Sequence, residues 1–278
     1  MDKKAQNNLI SFLDKKQDFT IHIFRGKDVL DELTEIHDLK GLAKKFFKDV
    51  ILTFETMISF LKPGEGFGIY IDSEEPYFRF KIETNWTGTM RTLLLPEDFN
   101  SFPEKLNGQC RVSKIFKSNQ NSYTSIIEMK DLSFSDLGNK ILRDSYQMDA
   151  EIHLGEEDYN SVLVLKLPRF NIDKENSSKD RSLKEYWIET QSLLNEVFKN
   201  NELDEIDVIE RFKKSGFEYL KSSNVHFKCS CSKDRFVNNL KNMHADHIEE
   251  IFQKDESIEI KCDYCKTKYE LIKSDLIK

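Results

Sequence analysis

Apolar residues along the first 170 positions follow two different periods. Phe19–Phe24 alternates apolar with polar residues, as a half-buried strand does, whereas apolar residues recur every three or four positions from Leu39 to Leu61. The second period is that of a long amphipathic helix, which Pro63–Gly66 ends. Alternation elsewhere predicts strands at 67–71 and 78–82, joined as a hairpin, and at 90–95, 110–117, 122–129, 149–154 and 161–167, with a helix at 134–146. Consecutive strands beside helices predict an α+β fold, in which residues 1–170 form an N-terminal domain of mixed sheet and helix.

The pattern changes after residue 170 and again after residue 224. Of the 54 residues in 171–224, 21 are charged, and helical periods are present at 182–199 and 203–220. This segment has two interpretations: a solvated helical connector, or a helical linker of marginal stability that can unfold and bind other chains. Residues 225–278 form a third, small unit, in which an alternating segment precedes each of two cysteine pairs and a charged helix spans about 233–252.

Composition restricts the function of the chain. Its 21 Phe are too many for a mainly disordered protein, and the net charge of −7 disfavours non-specific binding to nucleic acid or to an anionic membrane. The N-terminus lacks the apolar stretch of a signal peptide, and no run approaches the roughly 18 apolar residues of a membrane-spanning helix. We therefore expect a cytoplasmic protein that binds neither nucleic acid nor membrane. Clustered cysteines in such a protein serve metal binding or redox chemistry.

Four of the five cysteines form two close pairs. One residue separates Cys229 from Cys231, two separate Cys262 from Cys265, and 30 residues lie between the pairs. Two pairs on separate segments can supply the corners of a tetrahedron, and zinc binds thiolates strongly. The spacing therefore predicts one Zn²⁺ bound by all four sulfurs in the reduced protein. Cys110 is isolated within a strand pattern and is expected to be a buried, inert thiol.

The residues leave open what this zinc does. A unit of the size of 225–278 buries little surface, so the ion could serve only as a structural staple. The spacing of Cys229 and Cys231, however, leaves both sulfurs close enough to oxidise to each other, and zinc keeps them in the nucleophilic thiolate form. Disulfide formation would then remove the ligands, and the unit would unfold.

Two other functions are compatible with paired cysteines. A zinc-ribbon module that binds nucleic acid should carry a basic surface, but residues 225–278 contain ten basic and ten acidic side chains. A thiol oxidoreductase that uses Cys262 and Cys265 should have a strand and helix of the thioredoxin type around them, which the sequence lacks. No catalytic motif is present elsewhere.

The cysteine segments also carry a family resemblance. Phe227–Arg235, Cys262–Cys265 and Tyr269 together resemble the heat shock protein 33 family, which are redox-regulated bacterial chaperones also called 33 kDa chaperonins. Weaker similarity is found at Arg25–Gly26, Ser122–Ile127, Ser145–Gln147 and Val162–Pro168. The chain departs from the family pattern at Thr87–Arg91, Asn242–His247 and Tyr264, which marks it as a divergent member.

The resemblance implies an ATP-independent holdase of the stress response, and not an enzyme. When reduced, the protein would be a nearly inactive, zinc-loaded monomer; a homodimer is a candidate state after oxidation. Oxidation is implied to pair Cys229 with Cys231 and Cys262 with Cys265, which releases zinc and unfolds the C-terminal unit. The linker, 171–224, would then lose its structure and expose apolar surface that binds unfolding client proteins.

Overall fold

The computed structural model of the chain describes residues 7–116, 123–155, 159–168, 181–198, 203–243, 252 and 256–276. The chain divides into two compact units, which meet in the sequence at Phe227 and Lys228. Antiparallel sheets and helices occur together, which confirms the predicted α+β class.

The first unit contains two sheets and five α-helices among its described residues. In chain order its elements are β1 (Asn7–Asp14), β2 (Phe19–Gly26), α1 (Lys27–Ile36), α2 (Gly41–Glu55), β3 (Glu65–Glu75), β4 (Tyr77–Asn85), β5 (Thr89–Leu95), β6 (Lys105–Phe116), β7 (Tyr123–Ser133), α3 (Phe134–Asp144), β8 (Ala150–Leu154), β9 (Asn160–Lys166), α4 (Leu183–Phe198), α5 (Glu205–Lys214), β10 (Glu218–Asn224) and β11 (His226–Phe227). The second unit has α6 (Lys233–Met243), β12 (Ser257–Lys261), β13 (Lys268–Ile272) and a short α7 (Lys273–Leu276).

The two sheets of the first unit differ in size and connection. One has five strands in the order β10-β1-β2-β9-β8, and the other has six in the order β11-β5-β4-β3-β6-β7. All neighbours run antiparallel except β11 and β5, which are parallel with His226 opposite Thr89. Consecutive strands β10 and β11 thus lie at the edges of different sheets.

The larger core lies between α2 and the inner face of the six-stranded sheet. The α2 residues Phe46, Phe47, Val50 and Phe54 are fully buried there. The Phe46 ring lies 5.1 Å from that of Phe78 and meets it edge to face, an arrangement that aromatic pairs favour. The three- and four-residue period of α2 therefore points its apolar side into this core, as predicted.

A second core lies on the five-stranded sheet, where α4 and α5 cover it. Phe12 of β1 stacks on Phe212 of α5 at 4.3 Å, and Phe19 of β2 stacks on Tyr186 of α4 at 3.9 Å. The helices predicted at 182–199 and 203–220 are therefore present, and they pack within the first compact unit. Whether 171–224 behaves as a separable linker remains a prediction.

Some local predictions were wrong. Residues 218–220 were expected to continue a helix but begin β10, because Gly216 adopts a φ of +92°, which ends α5 and turns the chain back toward β1. The helix expected to reach Leu61 ends at Glu55 and continues as the 3₁₀ turn Thr56–Phe60. Neither β1 nor α1 was predicted.

Candidate metal centre

The four paired cysteines lie on two loops of the second unit. Cys229 and Cys231 precede α6, and Cys262 and Cys265 lie in the turn between β12 and β13. Lys261 and Lys268 are the last residue pair of this antiparallel hairpin. Backbone hydrogen bonds close the turn: the Lys266 N–H donates to the Cys262 carbonyl at 2.8 Å, and the Cys262 N–H donates to the Thr267 carbonyl at 2.9 Å.

Contacts with α6 hold the first loop in place. Arg235 donates from Nη1 to the Ser230 carbonyl at 2.7 Å, which fixes the backbone between Cys229 and Cys231. Phe236 packs on Tyr269 of β13 with ring centroids 5.3 Å apart, and Lys233 forms an ion pair with Asp275 at 2.7 Å. These contacts link α6 to β13 of the hairpin that carries the other two cysteines, and to α7.

The four sulfurs converge on one point. All four Sγ atoms lie within 4.8 Å of one another. The distance is 3.8 Å from Cys229 to Cys262 and 3.3 Å from Cys231 to Cys265. A regular tetrahedron with Zn–S bonds of about 2.3 Å has S···S edges of about 3.8 Å. The donor set and its dimensions therefore fit a tetrahedral Zn²⁺, and this is the one such cluster among the described residues.

Polar groups of β13 and of the turn before it lie beside the sulfurs. The Tyr269 hydroxyl lies 3.2 Å from Cys231 Sγ, and this hydrogen bond is the main cause that raises the pKa of Tyr269 to about 12. Burial raises the pKa of Cys265, but hydrogen bonds with Thr267 and with neighbouring thiols outweigh it and lower that pKa to about 7. Burial raises the pKa of Cys229 to about 12. Such close sulfurs cannot all ionise without a cation, which a divalent metal would supply.

The structure thus brings together every cysteine predicted to bind metal. Cys262 is buried, and the other three are half-buried. Cys110 is fully buried on β6, and burial raises its pKa to about 12, as expected of an inert thiol. Thr267 was missed as a neighbour of the sulfurs, because its proximity depends on the exact form of the β12–β13 turn. The one sequence signal for it was its position two residues after Cys265.

Fold and site together define a class: an α+β protein of two units, of which the smaller, C-terminal one is organised around a four-cysteine candidate metal centre. The family model described as Hsp33 protein matches residues 7–271. The chain belongs to the Hsp33 family.

Individual relatives agree with this assignment. The chain is similar to the 33 kDa chaperonin of Prochlorococcus marinus strain AS9601, at 28% identity over 215 residues that span 76% of this chain and 65% of that protein. It is also similar to the 33 kDa chaperonins of Acholeplasma laidlawii, at 24% identity over 82% of both chains, and of Levilactobacillus brevis, at 22% over 93% of this chain and 92% of the other.

The fold has a solved counterpart. The crystal structure of the 33 kDa chaperonin from Thermotoga maritima matches with a TM-score of 0.72 and 16% identity, over 98% of this chain and 97% of that one. Membership of the Hsp33 family implies a chaperone function, and the family is not one of enzymes. Within the described ranges, every helix is too short or too polar to cross a membrane.

Proposed function

We propose that the protein is a cytoplasmic, ATP-independent holdase that oxidation of its four paired cysteines activates. The convergence of the four sulfurs within 4.8 Å carries this proposal, because it fits Zn²⁺ in the reduced state. The ion would contribute most of the stability of the second unit. Among the described residues of 228–278, the buried apolar ones are only Phe252, Cys262, Leu271 and Leu276. So small a core cannot hold a unit of this size without a staple.

Oxidation would remove the ligands of the metal. Formation of each disulfide transfers two electrons from two thiolates to one hydrogen peroxide. The peroxide takes up two protons and becomes two water molecules. Two peroxides would therefore convert all four thiolates, and no ligand would remain. We assign the disulfides to Cys229 with Cys231 and to Cys262 with Cys265, which the short spacing within each pair supports. Mass mapping of the oxidised protein distinguishes this assignment from crossed pairs.

The apolar face under α4 and α5 is the surface we assign to clients. It consists of side chains from β1, β2 and β9: Ile10, Phe12, Phe19, Ile21, Ile23, Val162 and Val164. In our proposal, unfolding of the second unit destabilises the linker, 171–224, and the helices leave this face. Apolar segments of unfolding client proteins would then replace the helices. The reduced form would be a monomer, and the exposed face would make a homodimer a candidate state after oxidation.

Light scattering from a chemically unfolded client tests this function. The reduced, zinc-loaded protein should leave aggregation unchanged, and the peroxide-treated protein should suppress it. The double variant Cys229→Ser and Cys231→Ser should lose this response, whereas Cys110→Ser, which changes an isolated buried thiol, should keep it. Equal suppression by both redox forms would instead indicate a constitutive chaperone with a structural zinc. Suppression by neither form would refute the holdase.

A further inference from the structure

A row of polar residues crosses the otherwise apolar face that α4 and α5 cover. Asn8 of β1 is opposite Arg25 of β2, and Arg25 is opposite Asn160 of β9. Two-residue alternation places this row on the same face as Phe12, Ile23 and Val162 of the second core. Arg25 is 2% exposed and Asn160 is 3% exposed. A charged side chain is thus enclosed at the end of the surface that we assign to clients.

The guanidinium of Arg25 is only partly satisfied. Its Nη1 donates to the Leu203 carbonyl at 2.5 Å, but its Nε and Nη2 are buried without a hydrogen-bond partner among the described residues. Burial lowers the pKa of Arg25, and the Asp204 carboxylate opposes this effect. Buried donors without partners lose their hydration and receive nothing in exchange, so each of them is costly.

The polar row contacts the residues with which α5 begins. Leu203 receives the bond from Arg25, Asp204 is the N-cap of α5, and the Asn8 amide contacts the Glu205 carboxylate. If α5 left the sheet, water would reach the unpartnered donors of Arg25. The cost of dehydrating this guanidinium would then be relieved.

We infer that Arg25 is a built-in destabilising residue that keeps the docking of α5 on the five-stranded sheet marginal. The single hydrogen bond to the Leu203 carbonyl stabilises the docked helix. The burial of the charge and of two unpartnered donors destabilises it by more. The inference rests on the proposed function, because it explains how an event in the second unit could release helices held by two aromatic stacks. A fully apolar face would hold these helices too tightly for such a release.

The test is hydrogen exchange of α5 and β10 in the reduced, zinc-loaded full-length protein. Arg25→Met keeps the length and apolar stem of the side chain but removes the charge and the donors. We expect exchange of the α5 amides to become about tenfold slower, which corresponds to relief of one or two unsatisfied groups. The control Arg79→Met changes an arginine that is 60% exposed, and it should leave α5 unaffected. Unchanged or faster exchange of α5 in Arg25→Met would overturn the inference.

A second pair of variants keeps the test decisive if Arg25→Met does not fold. Asp204→Asn preserves N-capping, since Asn caps as well as Asp, but removes the negative charge that offsets the cost of burying the Arg25 guanidinium. Exchange of α5 should become several-fold faster. Asp207→Asn, in the same helical turn, removes the same charge without this effect on Arg25 and should change exchange less. Equal effects of the two aspartate variants would also refute the inference.

The double variant Arg25→Met with Asp204→Asn completes the cycle. Asp204 acts through the Arg25 guanidinium. In the Arg25→Met background, Asp204→Asn should therefore change exchange of α5 no more than Asp207→Asn does. These readouts concern only the reduced protein. The light-scattering assay could therefore fail while the exchange pattern held, or the reverse, and the two proposals are judged separately.

Discussion

Glu55, at the end of α2, shows how one residue can make stability depend on pH. Its side chain is fully buried, and neither carboxylate oxygen has a hydrogen-bond partner among the described residues. Burial is the cause that raises its pKa to about 8. The native state therefore holds a proton on Glu55 between pH 4.5 and about 8, where the unfolded state has released it.

The sign of the effect follows from this difference in proton binding. The stabilising contribution is complete below pH 4.5 and is lost as pH rises through about 8. We expect the free energy of unfolding to fall by about 2–3 kcal/mol between pH 6 and pH 9. Urea titration of Glu55→Gln should show no such fall, whereas Glu35→Gln, which changes an exposed glutamate, should behave as the wild type. A pH-independent wild type would contradict this prediction.

The convergence of the four paired cysteines could be predicted at the residue scale, because their spacing alone indicates it. Glu55 could not, because its sequence position lies within the apolar period of α2, where an acidic residue is usually assigned to the exposed side. The orphaned donors of Arg25 likewise depend on which backbone group happens to lie above the sheet. Unsatisfied groups are properties of packing and leave no pattern in the sequence.

At the scale of elements, α5 depends on one aromatic anchor. Phe212 is fully buried and stacks on Phe12 and, edge to face, on Phe217. Truncation to alanine in such a position typically costs about 3–5 kcal/mol, which is large for a helix of ten residues. We expect Phe212→Ala to release α5 from the sheet without oxidation.

Binding of an apolar dye to the reduced variant measures this release. Dye fluorescence should rise for Phe212→Ala to the level of the peroxide-treated wild type. Ile206→Ala removes an apolar side chain of the same helix that is 64% exposed, and it should leave fluorescence low. If the dye fluorescence of Phe212→Ala stayed as low as that of Ile206→Ala, the face under α5 would not be the surface that oxidation exposes.

One element that the sequence failed to predict, β1, has a clear physical explanation. β1 is covered by α4 and α5 on one face and by the larger core on the other, so Leu9, Ile10 and Phe12 are all buried. Burial on both faces erases the two-residue alternation by which strands are recognised. The hairpin β3–β4, with one partly exposed face, kept its alternation and was predicted correctly.

At the scale of the whole molecule, the two units should respond differently to loss of metal. A chelator with a reductant present would remove Zn²⁺ without forming disulfides. We expect hydrogen-exchange protection to be lost in β12 and β13, because the second unit has few buried apolar residues. Protection of β3 and β4, which belong to the larger core, should remain. Retained protection of β12 and β13 would show that the unit folds without metal.

The domain limits predicted from the sequence, at about residues 170 and 224, remain predictions. The change in composition near residue 225 lies close to the division at Lys228. The aromatic anchors of α4 and α5 pack those helices on the five-stranded sheet, within the compact unit that ends at Phe227. Charge density left both interpretations of 171–224 open, because a few buried side chains, which composition does not reveal, decide where a helix packs.

The short strand β11 affects how unfolding of the second unit would pass to the elements that precede it in the chain. It immediately precedes the second unit in the sequence, and it pairs with β5 through two residues only. The preceding strand, β10, pairs with β1 of the other sheet. In the proposed mechanism, unfolding that starts at Cys229 and proceeds toward the N-terminus would break the pairing of β11 first, then that of β10, and would then release α5. A longer strand in place of β11 would stop unfolding from passing from the second unit to β10. A pairing of two residues would instead let the elements unfold in a fixed order.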